Sequence, residues 1–274
     1  MANLINFWQH IYSYINPVAL NIGPFHIHWY AIMYITALVL GYYLGIKFGE
    51  KMGFSKKIID EYFIWAEIGI ILGARFGYVL FYMPGDNSYY LLHPWEMFNP
   101  FEGGKFVGFA GMSYHGAVIG FILATLLFVK IKKIDLWKLV DVVALAVPLA
   151  YIFGRLGNFL NERIVGRITD VPWGVYIDGA LRHPIGIYEA FFEGLVSFII
   201  IYWFYKKFYK CKGELIALYL ITYGIFRSLC EFWRQPDPQL GFIIGHITMG
   251  QILSSFLVII GFIIFYYRRK KCKN

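Results

Sequence analysis

Charge is what this sequence has least of. Only 15% of its 274 residues are Asp, Glu, Lys or Arg, 59% are hydrophobic, and mean hydropathy is +0.56. An ordinary soluble domain carries about 25% charged residues. That shortage argues against a water-soluble fold and points to lipid as the solvent. Cysteine is scarce as well. Cys211, Cys230 and Cys272 show no metal-ligand spacing, and two of them fall in a basic loop or the tail. Neither a disulfide framework nor a zinc site is therefore expected, and no cofactor is expected either. A charged leader followed by a short apolar core and a small-residue cleavage site is missing, so no signal peptide is read. Residues 4–14 mix aromatic and polar groups and fit either a helix lying on the membrane surface or a plain terminal arm. The formal net charge is +8, yet the lysines sit in short loops with no basic face or aromatic-interleaved groove. No nucleic-acid partner is expected from that distribution.

What the sequence does have is long apolar runs. A membrane span needs about 20 mostly apolar residues, and seven stretches qualify: 27–46, 62–82, 112–130, 139–160, 186–205, 214–231 and 247–267. Lysine and arginine then set the orientation. Lys47, Lys51, Lys56 and Lys57 separate the first two runs, and Lys130, Lys132, Lys133 and Lys138 separate the third and fourth. Lys206, Lys207, Lys210 and Lys212 separate the fifth and sixth, and Arg268, Arg269, Lys270, Lys271 and Lys273 follow the seventh. By the positive-inside rule all these loops are cytoplasmic, the N-terminus lies outside and the C-terminus inside. That arrangement requires an odd number of spans, in agreement with seven. The expected fold is an all-α integral membrane protein, a single polytopic domain over 1–274. Its outer arms, about 83–111 and 161–185, are rich in turn-forming Pro, Gly, Asp and Asn.

Three arginines fall inside the runs: Arg75, Arg155 and Arg227. At about 1.5 Å per residue, all three lie in the outer halves of their spans. Tyr30, His115, Asn158, Asn161 and Glu231 come to a similar depth. An arginine inside a span costs several kcal/mol unless it faces a cavity or a partner, so these positions point to function. Asn158 and Asn161 are three apart and Arg227 and Glu231 four apart, so each pair shares a helical face. Arg227 and Glu231 also fit a plain structural ion pair, and Asn158 a bond to a neighbouring helix. The arginine fork suits bidentate capture of a phosphate, and a phosphate at the outer leaflet is a phospholipid headgroup. Gly154 and Gly157 flank Arg155, and Gly73 and Gly77 bracket Arg75. Residues without side chains there permit either close approach of a lipid or tight helix packing. His115 has the pKa range of a proton acceptor near neutral pH.

Along nearly the whole chain these segments resemble the bacterial phosphatidylglycerol–prolipoprotein diacylglyceryl transferases. HWYAIMY (28–34), GARFGYVLFY (73–82) and GMSYHGAVIG (111–120) are similar to the family's first three blocks. GRLGNFLNERIVGR (154–167), RHPIGIYEA (182–190), GIFRSLCEFWRQPDPQLG (224–241) and ITMGQILS (247–254) complete the match. The resemblance implies an inner-membrane transferase whose active site faces the outer half of the bilayer. Its substrates would be phosphatidylglycerol and prolipoprotein signal peptides with a lipobox cysteine. It also implies that Arg155 and Arg227 hold the phosphate, that His115 is the base, and that Glu231 is an acidic partner of Arg227. Tyr30, Asn158, Gly166 and Arg234 match further family positions, and Arg75 and Asn161 join the expected substrate-binding set. The sequence departs from the pattern where Arg163 replaces a glutamate, with Glu162 one position earlier and Glu189 in IYEA as the other replacement. Ala117 stands for the second glycine after His115, Gly186 for a glutamine, and the arm from Gly166 to Arg182 is short. A lipid or anion transporter is the alternative, although such proteins place charge near the midplane and carry repeats; no repeat is present here. A receptor or structural protein leaves the three arginines unexplained.

Overall fold

The structure, a computed structural model, describes residues 2–23, 25–82, 87–99, 101–102, 105–106, 111–161, 164–236, 241–243 and 245–273. Helix α1 (Ala2–Gln9) and the β1–β2 hairpin (Val18–Ile22, Phe25–His28) lead into α2 (Trp29–Lys51) and α3 (Lys56–Tyr82). A short α4 (Asn87–Leu92) and the hairpin β3–β4 (Phe101–Glu102, Lys105–Phe106) precede α5 (Tyr114–Lys132) and α6 (Leu136–Leu160). A further hairpin, β5–β6 (Val175–Ile177, Ala180–Arg182), precedes a continuous helix. That helix runs through α7 (Ile185–Glu189), a π-helical segment (Ala190–Val196) and α8 (Ser197–Lys207). Helices α9 (Glu214–Cys230) and α10 (Met249–Lys273) close the chain. The described helices include six that are long and apolar enough to cross a membrane, and each coincides with an expected run. The remaining run, 214–231, is α9, which has 17 residues. Every described strand lies in a hairpin outside the six long helices. The β5–β6 turn places Asp178 and Gly179 at positive φ, the Asp-Gly chemistry that a two-residue hairpin loop requires.

The described residues fall into two compact units, one built from Gly53–Leu136 and the other from Met1–Met52 with Trp137–Asn274. In the first, α3 and α5 pack through glycine. A Cβ at Gly69 would meet Ala124 Cβ at 2.5 Å, and one at Gly77 would meet Gly116 Cα at 2.6 Å. Small residues at four-residue spacing bring two backbones together, as in membrane helix pairs generally. The glycines around Arg75 are therefore packing residues. An apolar groove of about 590 Å³ runs along this seam past Trp65, Leu72 and Phe76.

In the larger unit the 185–207 helix lies against α6 at two glycines. A Cβ on Gly186 would come 3.1 Å from the Arg155 carbonyl, and one on Gly194 would come 3.1 Å from the Pro148 carbonyl. Two close approaches a little over two turns apart press the intervening face of this helix onto α6. That face carries Glu189 and Glu193. Helix α10 packs on α9 in the same manner: a Cβ on Gly224 would come 2.7 Å from the Ser254 carbonyl, and one on Gly261 would come 2.8 Å from the Ala217 carbonyl. The start of α10 is a capping box. The Gln251 amide donates to Thr248 Oγ1 at 3.3 Å, and the Thr248 amide donates to Gln251 Oε1 at 3.1 Å.

The N-terminal segment is helical and docked on the end of α6 and the segment that precedes β5. Trp8 donates to the Trp173 carbonyl, Gln9 to the Pro172 carbonyl and Tyr12 to the Phe159 carbonyl. One expectation fails. Cys211 and Cys272 are disulfide-bonded, with Cα atoms 5.9 Å apart. Their 61-residue separation hides the pairing in the sequence, and only the return of α10 alongside the α8–α9 loop brings them together.

Candidate active site

Four elements of the larger unit deliver charge to one place. Arg155 comes from the last turns of α6. Glu189 and Glu193 come from the beginning of the 185–207 helix, Arg227 and Glu231 from the end of α9, and Arg234 from the turn beyond. Glu189 and Glu193 are fully buried, and the arginine side chains keep between 14% and 20% of their surface. Glu189 is the hub. Its Oε2 lies 3.1 Å from Arg155 Nη1, and its Oε1 accepts from Arg227 Nη1 and, at 3.2 Å, from Arg234 Nη1. Arg227 also donates to Glu231 and lies 3.6 Å from Glu193 Oε1. Tyr151 donates to Glu193 and accepts from Arg155 Nε at 2.5 Å, with its ring centre 4.6 Å from the Arg155 Cζ. Glu231 is held from its other side by Thr248 Oγ1, which donates at 2.8 Å. Two carboxylate oxygens, Glu189 Oε2 and Glu193 Oε1, are buried with no hydrogen-bond partner among the described residues. Glu193 lies within the π-helical segment, a local widening found often at functional sites.

Buried ion pairs repay their desolvation poorly, and a hydrophobic replacement is often as stable. A cluster of this size is therefore poor scaffolding.

Of the residues expected at the site, Arg155, Arg227, Glu231 and Arg234 come together directly. Asn158 is half-buried one turn from Arg155 on α6. Tyr30 sits at the start of α2, its Cα 3.3 Å from where a Cβ on Gly157 would be. Asn161 is occupied by backbone: its Oδ1 accepts from the Tyr30 amide at 2.6 Å and its Nδ2 donates to the Pro17 carbonyl at 3.1 Å. It thus satisfies an orphan amide at the N-terminus of α2. Gly166 pairs with Arg234 in an isolated bridge, and a side chain there would collide with the His183 backbone. Arg75 and His115 belong to the other unit. Arg75 is buried and donates to the Met97 carbonyl at 2.5 Å and the Gly111 carbonyl at 2.8 Å. His115 is exposed in the first turn of α5, whose N-cap Ser113 accepts from the Gly116 amide at 3.2 Å. Glu162 and Arg163 lie outside the described residues.

Sequence reasoning gave no role to Glu193, Tyr151 or Arg167 and treated Glu189 only as a replacement. Arg167 donates to the carbonyls of Arg234 and Glu231 and so holds the turn after α9. The available signal was the i, i+4 spacing of Glu189 and Glu193 within an apolar run. Near the cluster but outside the spans, His183 has its pKa lowered from 6.5 by partial burial, offset in part by Asp170.

Fold and site together define a multi-pass membrane protein with a buried arginine–carboxylate cluster. Residues 17–267 match the prolipoprotein diacylglyceryl transferase family, and the chain belongs to it. Relatives named phosphatidylglycerol–prolipoprotein diacylglyceryl transferase include one from Campylobacter hominis, 53% identical over 94% of this chain and 92% of the relative. Another, from Campylobacter lari, is 51% identical over 98% and 100%, and one from Wolinella succinogenes is 47% identical over 96% and 97%.

Proposed function

We propose that this transferase moves the diacylglyceryl group of phosphatidylglycerol onto the thiol of the lipobox cysteine of a prolipoprotein, and that the Arg155–Arg227–Glu189 cluster is where the lipid phosphate is held. The observation that carries the reading is that three arginines, Arg155, Arg227 and Arg234, converge on one buried carboxylate, Glu189. An incoming phosphate offers the same arginines a bidentate partner. In the reaction a C–S bond forms to the glycerol carbon and the C–O bond to phosphate breaks. Glycerol phosphate departs with the electron pair, and the thiol loses its proton. Because the thiolate is the nucleophile, cations beside the phosphate serve twice: they lower the thiol pKa and stabilise charge building on the leaving group. The resemblance assigns the thiol proton to His115, and normal turnover by His115→Gln at pH 7 would remove it from the mechanism. Lysine-rich loops on one side support seven spans, a cytoplasmic C-terminus, residence in the bacterial inner membrane and a site opening to the outer half of the bilayer. The test is purified protein in detergent with phosphatidylglycerol and a lipobox peptide, with mass spectrometry for the thioether adduct. Adduct from wild type and none from Arg155→Ala supports the reading. Adduct from both sinks the role of Arg155.

A further inference from the structure

Arg155 faces two buried carboxylates, and this creates a difficulty. A guanidinium that is to hold a substrate phosphate must not already be saturated by its own protein. Glu189 takes Nη1 at 3.1 Å. Glu193 lies four residues further along the same helix, also fully buried, and is the natural second partner. The two do not pair directly. Between them stands Tyr151, one turn before Arg155 on α6. Its hydroxyl donates to Glu193 Oε2, and its oxygen accepts from Arg155 Nε at 2.5 Å. Its ring lies under the guanidinium at 4.6 Å and is braced edge-on by Tyr223 at 5.9 Å. Glu193 faces Tyr151 and Arg155 from α6, Glu189 from its own helix, and Arg227 and Cys230 from α9. Its Oε1 lies 3.6 Å from Arg227 and makes no hydrogen bond.

We propose that Tyr151 is a positioning residue for the transfer. Its hydroxyl replaces a second Arg155–carboxylate ion pair with a neutral bridge and its ring fixes the guanidinium plane, so that Arg155 remains available to the lipid phosphate. This rests on the reading of Arg155 given above. Remove the hydroxyl, and Glu193 falls onto Arg155 and competes with the substrate anion. The competition is a binding effect, so it raises KM for phosphatidylglycerol and leaves kcat nearly unchanged.

The experiment is a double-mutant cycle on the purified enzyme, reading kcat and KM separately against phosphatidylglycerol in mixed micelles. Tyr151→Phe keeps the ring and its cation–π contact; it is expected to raise KM about tenfold with kcat within about threefold, a tenfold change being about 1.4 kcal/mol. Tyr151→Phe combined with Glu193→Gln is expected to bring KM back to within about threefold of wild type, because the competing charge is gone. A purely structural tyrosine predicts the opposite: the two defects add, and the double variant is worse than either single one. An unchanged KM in folded Tyr151→Phe, or additivity in the cycle, overturns the proposal. If the phenylalanine variant does not purify as a folded species, Tyr151→Leu provides the same KM readout, with a larger rise because the ring contact is also lost. Arg155→Ala is run alongside. If it transfers normally, the phosphate reading itself has failed. If it is dead while Tyr151→Phe shows a normal KM, only the role of Tyr151 has failed.

Discussion

Helix α9 carries a buried cluster of charge at each end, and the two are built on different principles. At its N-terminus Asp141, fully buried on α6, accepts from the amides of Gly213 at 2.6 Å, Leu215 at 3.0 Å and Ile216 at 2.9 Å, and from the Tyr209 hydroxyl at 2.9 Å. Glu214 accepts from the amides of Lys210 and Cys211 and from Arg269 Nε. Burial and the Asp141 charge push the Tyr209 hydroxyl well above its ordinary pKa. These are negative groups seated on the orphan amides and positive dipole end of a helix, and their oxygens are filled. At the C-terminus of α9 the carboxylates are held by side chains, arginines above all, and not by backbone amides. Burial and charge alone do not separate the two ends; the partner does, backbone amides at one and guanidinium groups at the other.

The contrast breaks most easily at its arginine-rich end. Arg227→Ala should lower kcat/KM for adduct formation at least 10²-fold, a loss of the order of 3 kcal/mol, as when one stabilising donor is removed from an anionic transition state. The protein should still insert into membranes. Asp141→Asn sharpens the comparison from the other side. It should cost about 1–3 kcal/mol of stability for unsatisfied buried amides, lowering the midpoint of thermal inactivation. The kcat of the protein that remains folded should stay near wild type. A variant equally crippled in kcat would erase the distinction between the two ends. Thr248→Ala tests the support of the arginine-rich end, because Thr248 both caps α10 and donates to Glu231. Loss of the cap costs about 1 kcal/mol, and a KM rise beyond what the stability loss explains is expected. The smallest effect is at His183. Its pKa is depressed in the fold, so the stability it contributes is present above pH 6.5 and is lost as pH falls through that region. A shallow decrease in midpoint below neutrality, absent in His183→Gln, is the expected result.

Much of the fold was legible because a membrane span is a composition problem: α2, α6 and α10 are apolar runs long enough to cross, and nothing else about them had to be known. The site was half legible. Arg155, Arg227 and Glu231 stood out because charge in a span is costly. Glu189 and Glu193 are as costly, but they lie near the expected boundary at 186, where a carboxylate reads as the edge of the membrane. Depth also cannot show what a side chain touches. Arg75 and Asn161 were expected to bind substrate, yet each is bonded to backbone carbonyls or amides. Which hydrogen bonds a residue makes is decided by helix rotation and by glycine contacts such as Gly186 on Arg155, and neither is written in hydropathy.

The Asp141 cap also bears on assembly in time. Helix α9 has only 17 residues and begins with amides that α6 must satisfy. Its first turn is therefore uncapped until that partner arrives. Translation supplies the partner first, since α6 leaves the ribosome about seventy residues earlier. The last turns of α9, bearing Arg227, thus reach Glu189 on a helix anchored at its far end by Asp141.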